Sequence, residues 1–222
     1  MAETIPDQVA GGATPMIRVL VVDDHFMARI GLTMPINQEK NMTVVAEARN
    51  GAEALELFRV HRPDVVTMDY RMPDQDGPGV VASIRKEFPG ARVLLLSAFD
   101  GEEHVFQAME AGVCGYLTKN SACADVLAAI RSIHQGETVF PPELAAKAEA
   151  RRDRPGLTPR EVQILQLLAG GNSNKEIARQ LGFSESLIKQ ELVRIFDKLG
   201  ARDRAHAATL AIERGIVDLS NN

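Results

Sequence analysis

Five short apolar runs, separated by stretches of helical periodicity, constrain this chain more than anything else in it. Ile17–Val22 is apolar except for Arg18, and Met42–Ala46, Val65–Met68, Arg92–Leu96 and Gly115–Thr118 follow. Runs this short and rich in Val, Ile and Leu read as strands of a parallel sheet buried on both faces. Between and after them, residues 25–36, Ala52–His61, Gly77–Phe88, Glu102–Ala111 and Ala122–His134 carry helical spacing, with Gly112 and Gly136 stopping the last two. Five strand–helix alternations predict a doubly wound α/β domain, a five-stranded parallel sheet with helices on both faces.

The ends of these runs carry reactive groups. Asp23 and Asp24 follow the first, Asp69 the third, Ser97 the fourth and Lys119 the fifth. In an open parallel sheet, chemistry gathers beyond the carboxyl ends of the strands, so one fold brings three acids, a hydroxyl and an ammonium into one pocket. Three carboxylates that close repel, and the pocket needs a cation or must protonate. An all-oxygen donor set suits Mg²⁺. A carboxylate there can accept a phosphoryl group as an aspartyl phosphate. Asp69, alone at the end of the middle strand, is the expected acceptor. Asp23 and Asp24 are then metal ligands, Lys119 a point charge for the phosphate and Ser97 a hydroxyl donor. Taken singly, Asp23 or Asp24 reads as a turn or helix cap; their position beside the other strand ends favours the pocket.

The net charge of −5 hides a split: 12 basic against 19 acidic residues over 1–140, and 9 against 8 over 156–222. The acidic excess therefore belongs to the part with the cation pocket. Cys114 and Cys123, the only cysteines, lack metal-type spacing and suit a reducing compartment. No run is long enough to span a membrane, and residues 1–15 read as a flexible extension without a signal peptide. A cytoplasmic protein is expected. Residues 16–136 form the first domain and 137–155 a breaker-rich linker with a short helix over Glu143–Glu149. Residues 156–222 form a smaller all-helical domain. There Thr158 with Glu161, Asn174, Ser184 and Asp203 are expected to cap four helices. The second and third, joined by a tight turn at Gly182, fit a helix-turn-helix.

As a set, Val21-Val22-Asp23-Asp24-His25, Met68-Asp69 through Asp76-Gly77, Leu96-Ser97-Ala98 and Gly115-Tyr116-Leu117-Thr118-Lys119 resemble the flavodoxin-like receiver domain of bacterial two-component response regulators. The resemblance implies that a sensor histidine kinase phosphorylates Asp69. It implies that Asp24, Asp69 and the backbone carbonyl of Arg71 bind Mg²⁺, with Asp23 acting through water or orienting the site. Ser97 and Lys119 would contact the phosphoryl group, and Tyr116 would be a switch aromatic that turns inward as Ser97 moves to the phosphate. Gly156–Glu161, Asn172–Ala178, Ser184-Glu185-Ser186, Lys198-Leu199-Gly200 and Arg202–Ala205 are similar to the LuxR/NarL-type helix-turn-helix. That implies binding of promoter double-stranded DNA in the major groove as a homodimer, and a transcription regulator rather than an enzyme.

On the third helix of this tail, Ile188, Leu192, Ile195, Phe196 and Leu199 share the core side. Ser186, Lys189, Gln190, Val193 and Arg194 face away and are the expected DNA contacts. Lys189 suits a phosphate or guanine, Gln190 an adenine and Val193 a thymine methyl. Glu191 departs from the family pattern. The helical angles place it on the flank near the phosphates, where it would be repelled. This keeps a second reading open, a regulator acting through protein contacts, or without phosphorylation, with weak or altered DNA binding. A phosphohydrolase is the enzymatic rival, and Arg71 stands where a second acid would be expected.

Overall fold

The computed structural model describes residues 16–217; the extension expected over 1–15 lies outside the described residues. Five parallel strands, β1 (Ile17–Val22), β2 (Met42–Ala48), β3 (Val65–Asp69), β4 (Val93–Ser97) and β5 (Gly115–Thr118), form one sheet in the order β2-β1-β3-β4-β5. Helices α1 (Phe26–Gln38), α2 (Gly51–His61), α3 (Gly77–Glu87), α4 (Glu102–Glu110) and α5 (Cys123–His134) alternate with them. The doubly wound α/β fold expected from the alternation is the fold observed. α1 runs through Pro35 to Gln38, two residues beyond its expected end.

Strand period two decides where each apolar residue goes. Leu20, Val22, Val66, Met68, Val93 and Leu95 pack on one face of the sheet in a buried cluster that includes Ala54, Phe58, Val81, Ile84 and Val105 from α2, α3 and α4. Val19, Val21, Val65, Leu94 and Leu96 pack on the other face against Ile36 of α1 and Ile130 and Ile133 of α5. The order of strands reverses between β1 and β3, and at that switch point the connections leave in opposite directions and open a crevice at the strand tips. Gly77 starts α3 against the floor of this crevice. A Cβ there would come within 2.7 Å of the Asp69 carbonyl and 2.8 Å of Leu95, so only glycine lets the helix begin so close to β3.

The stretch read as a linker is largely ordered onto the sheet domain. Val139 pairs with Gly115 of β5, and α6 (Pro142–Arg152) buries Leu144 and Ala148 in the cluster that contains α4. Its expected extent, 143–149, is exceeded at both ends.

The remaining helices, α7 (Pro159–Ala169), α8 (Asn174–Leu181), α9 (Glu185–Leu199) and α10 (Arg204–Glu213), enclose a separate core around Ile164, Leu168, Ile177, Ile188, Ile195 and Ala207. Thr158 and Glu161 form the expected capping box of α7, while Ser184 and Asp203 accept from backbone N–H groups at the starts of α9 and α10. The cap of α8 is Ser173 rather than Asn174. Both types can cap, but Glu176 stands three residues after Ser173 and reciprocates its bond. Asn174, one residue inside, instead accepts from Arg204 Nη1 at 3.1 Å.

Candidate functional site

The crevice holds the groups expected from the strand ends. Lys119 Nζ donates to Asp69 Oδ2 at 2.6 Å and to Asp23 Oδ2 at 2.9 Å, tying the tips of β1, β3 and β5 together. Asp23 and Asp69 are buried, and Asp24 is half-buried at the rim with His25 Nδ1 2.8 Å from its Oδ1. The N–H of Arg71 donates to Asp69 Oδ1 at 3.3 Å, and that of His25 to Asp23 Oδ1 at 2.8 Å. Burial raises the Asp69 carboxyl above its ordinary value, with the Asp23 charge adding to the rise and Lys119 opposing it. Burial disfavours the Lys119 charge, yet bonds to Asp69 and Asp23 prevail and hold its ammonium above the usual range.

One ammonium faces three carboxylates here, which leaves a surplus of negative charge in a partly desolvated pocket. Among the described residues, possible ligand atoms of Asp23, Asp24, His25 and Asp69 all lie within 4.8 Å of one another. Hard oxygen donors, clustered and undercompensated, fit a hard divalent cation.

Sequence reasoning missed Arg29. This buried guanidinium on α1 donates to the Asp23 carbonyl at 2.7 Å and the Asp24 carbonyl at 3.3 Å, and lies 3.6 Å from Glu47. It fixes the backbone that presents both acids. Its one available signal was a lone cation within the largely apolar run of residues 26–36, six residues after Asp23.

Ser97 ends β4 fully buried, and its Oγ accepts from the Phe99 N–H at 3.0 Å. Tyr116 is also fully buried, and its hydroxyl donates to the Phe99 carbonyl at 2.7 Å. Burial pushes its phenol up to about 12, against a hydrogen bond with Ser97. Tyr116 thus points inward, where the Phe99 carbonyl satisfies its buried hydroxyl. Phe99 itself stacks on His104 of α4 at 5.0 Å between centroids, with the Arg71 guanidinium 4.7 Å from its ring centre. The loop after Ser97 therefore links the acid pocket to α4.

In the helical domain, Ser186, Lys189, Gln190, Val193 and Arg194 all lie exposed on α9, opposite buried Ile188, Leu192, Ile195 and Leu199. Lys189 Nζ sits 3.1 Å from Glu185. Glu191 does not occupy the phosphate-side flank assigned to it above. It is 8% exposed, with its Oε1 3.5 Å from Arg194 Nη1 and 3.9 Å from Arg160 Nη2. Arg160, on α7, also covers the Phe183 ring at 4.1 Å. The angle of a carboxylate on a helix does not fix where it points when a guanidinium on the neighbouring helix draws it inward.

Comparison with known proteins identifies both halves. Residues 19–131 match the response regulator receiver domain, and residues 155–211 match the bacterial regulatory proteins of the luxR family. This chain belongs to the response regulators. Response regulator protein VraR of Staphylococcus aureus is 35% identical over 206 residues, spanning 90% of this chain and 99% of that one. The crystal structure of response regulator ChrA, of a heme-sensing two-component system, shares 34% identity over 90% of this chain and 98% of its own, with a TM-score of 0.54. RcsB of Salmonella enterica serovar Typhimurium, bound to a promoter in the presence of a phosphomimetic, shares the fold: 22% identity, 90% and 98% coverage, TM-score 0.65. As a response regulator with a LuxR-type domain, the chain is a phosphorylation-dependent DNA-binding regulator. Among its described residues, no helix is long and apolar enough to cross a membrane.

Proposed function

We propose that Asp69 is the phosphoacceptor, and that its phosphorylation by a sensor histidine kinase promotes a homodimer that binds promoter DNA through α9. The observation that carries this reading is the Lys119 bridge, 2.6 Å to Asp69 and 2.9 Å to Asp23, at the switch point of the sheet. A carboxylate oxygen of Asp69 attacks the phosphorus of a phosphohistidine, the P–N bond breaks, and the imidazole departs with a proton from solvent. Lys119, at the acceptor carboxylate, neutralises charge on the arriving phosphoryl oxygens. The Ser97 hydroxyl, at the tip of the neighbouring strand β4, donates to them when it leaves Phe99. Asp24, Asp69 and the Arg71 carbonyl would hold Mg²⁺, with Asp23 orienting the site; bound there, the ion screens the acids and the phosphoryl oxygens from one another.

On α9, Lys189 and Arg194 supply phosphate contacts while Ser186, Gln190 and Val193 reach base edges. The buried pairing of Glu191 removes the observation that favoured a tail without DNA affinity. Its carboxylate is held among guanidinium groups of the same domain. The site supports one covalent transfer to the protein and slow self-hydrolysis rather than turnover of an external substrate. The protein is proposed to work in the cytoplasm.

The test treats the full chain with acetyl phosphate and Mg²⁺, locates added phosphate by mass spectrometry, and measures binding to genomic DNA fragments before and after. Phosphate on Asp69 and tighter binding are expected in the native chain, and neither in Asp69→Asn. Equal DNA affinity with and without the donor would reject the switch.

A further inference from the structure

The imidazole of His25 stands exposed at the rim of the acid pocket. His25 holds the N-cap position of α1, where Ser, Thr, Asp or Asn would cap, yet its side chain makes no capping bond. It lies instead against two of the acids, its Nδ1 2.8 Å from Asp24 Oδ1 and 3.5 Å from Asp23 Oδ1. The closer pair is not aligned for a hydrogen bond. Among the described residues Asp24 Oδ1 has no hydrogen-bond partner, although the atom is buried. A charge-assisted bond of that length would be directed. Two close donor atoms, each with a lone pair and neither bonded to the other, are how two ligands of one cation stand. Ligands held at about 2.1 Å, at octahedral or tetrahedral angles, lie roughly 3.0–3.4 Å apart. The two His25 separations bracket that spacing.

The other donors are already oriented. Lys119 engages the Oδ2 atoms of Asp23 and Asp69, and the N–H groups of His25 and Arg71 engage their Oδ1 atoms. Both carboxylates are thereby fixed, while each Oδ1 keeps a lone pair. Ligand atoms of Asp23, Asp24, His25 and Asp69 all lie within 4.8 Å of one another. The set is three oxygen donors and one nitrogen. Mg²⁺ takes oxygen and keeps several waters. An imidazole moves the preference toward Zn²⁺, Cu²⁺ and Ni²⁺, and four protein ligands complete a Zn²⁺ site.

We propose that His25 makes the acid pocket a site for a first-row transition cation of the Zn²⁺ class: Asp23, Asp24, His25 and Asp69 hold it in competition with Mg²⁺, and the chain so loaded does not accept phosphate. The inhibitory half rests on Asp69 being the acceptor. Four protein ligands leave no position open for a phosphoryl oxygen. They also commit a lone pair of Asp69 that nucleophilic attack needs free. With oxygen donors alone the pocket would discriminate less between the two ions, so His25 is the residue that sets the preference.

The experiment titrates the full chain, His25→Gln and Asp24→Asn with Zn²⁺ and with Mg²⁺ by calorimetry at neutral pH. The His25 side chain is exposed, so its replacement leaves the core intact. The ratio of Zn²⁺ to Mg²⁺ affinity is expected to fall at least about tenfold in His25→Gln, since loss of even a group that supports a ligand costs that much. Added Zn²⁺ is expected to slow labelling of the native chain by acetyl phosphate and Mg²⁺, and to slow that of His25→Gln far less. An affinity ratio unchanged in His25→Gln overturns the site, as does Zn²⁺ binding undiminished in Asp24→Asn, which would put the ion on other groups. Zn²⁺ held through His25 without slower labelling overturns the competition. A His25-dependent Zn²⁺ site in a native chain that takes no phosphate keeps the site and overturns Asp69 as acceptor.

Discussion

A carboxylate on a helix that approaches DNA phosphates is a liability unless other groups take up its charge, and Glu191 has two guanidinium neighbours. Removing it takes away the carboxylate 3.9 Å from Arg160 Nη2, while the Phe183 ring contact of Arg160 remains. Glu191→Ala should therefore destabilise the helical domain by about 1–3 kcal/mol, the usual cost of breaking a mostly buried charged contact. It should do so without tightening DNA binding at fixed salt. Chemical denaturation followed by helix content, beside a DNA titration, checks both; unchanged stability with tighter binding would return Glu191 to the phosphate flank. At this scale the sequence was legible for groups fixed by strand ends: Asp23, Asp24, Asp69, Ser97 and Lys119 stand where backbone period put them. It was not legible for Glu191 or Arg29, nor for the partner of the Tyr116 hydroxyl. Their positions depend on which partner a long side chain or a hydroxyl finds in another element, and helical angle carries no information about that.

Among the elements, α7 and α9 are fastened at one corner by a single acid. Glu161 Oε2 accepts from the Thr158 N–H at 2.7 Å and from Lys198 Nζ at 2.6 Å, while Lys198 also donates to the Gly156 carbonyl at 3.2 Å. Burial raises the Glu161 carboxyl, but the bonds from Lys198 and Thr158 outweigh it and hold it below its ordinary value of 4.5. A carboxylate depressed in the folded state binds protons more readily when unfolded. Its contribution is complete above 4.5 and is lost as pH falls below that value toward the folded-state pKa. Thermal unfolding of the helical domain should therefore shift to lower temperature as pH drops through this window, and the shift should shrink in Glu161→Gln. An equal acid shift in the variant would assign the effect to other carboxylates. The capping box itself was readable from Thr158 and Glu161, as spacing alone identifies it. The cap of α8 was not, since Ser173 and Asn174 are both competent and only the reciprocal bond from Glu176 decides. α6 was underestimated because Leu144 and Ala148 give a single apolar pair, whose weight comes from the α4 surface it covers.

For the whole molecule, charge separates the roles. The sheet domain carries the acidic excess, and residues 156–222 hold 9 basic against 8 acidic residues, so each helical domain offers few phosphate contacts. On the proposed homodimer, the salt dependence should be shallow for one copy and additive for two. Lys189→Ala should reduce the slope of log affinity against log salt by about 1 per protomer, roughly 2 for a dimer on DNA. A slope unaffected by the change would move Lys189 off the phosphates. The division into a doubly wound sheet and a helix-turn-helix was plain in the sequence from the change of period after residue 136. How the two halves meet was not, since the contacts are polar, distant in sequence and anchored by backbone atoms of Gly101, Glu103 and Arg214.

The ordering of α6 onto α4 has a consequence for how far the halves can part. With α6 ending at Arg152 and Thr158 capping α7, only residues 153–157 remain as a tether. Five residues extend to roughly 17 Å at most. A domain on so short a leash revisits its berth at an effective concentration on the order of millimolar. A berth that a single phosphate is to vacate must then be weak if measured between separate molecules, with a dissociation constant of about a millimolar or higher. One backbone hydrogen bond and one partly solvated ion pair, Glu102 with Arg214, are a contact of that strength.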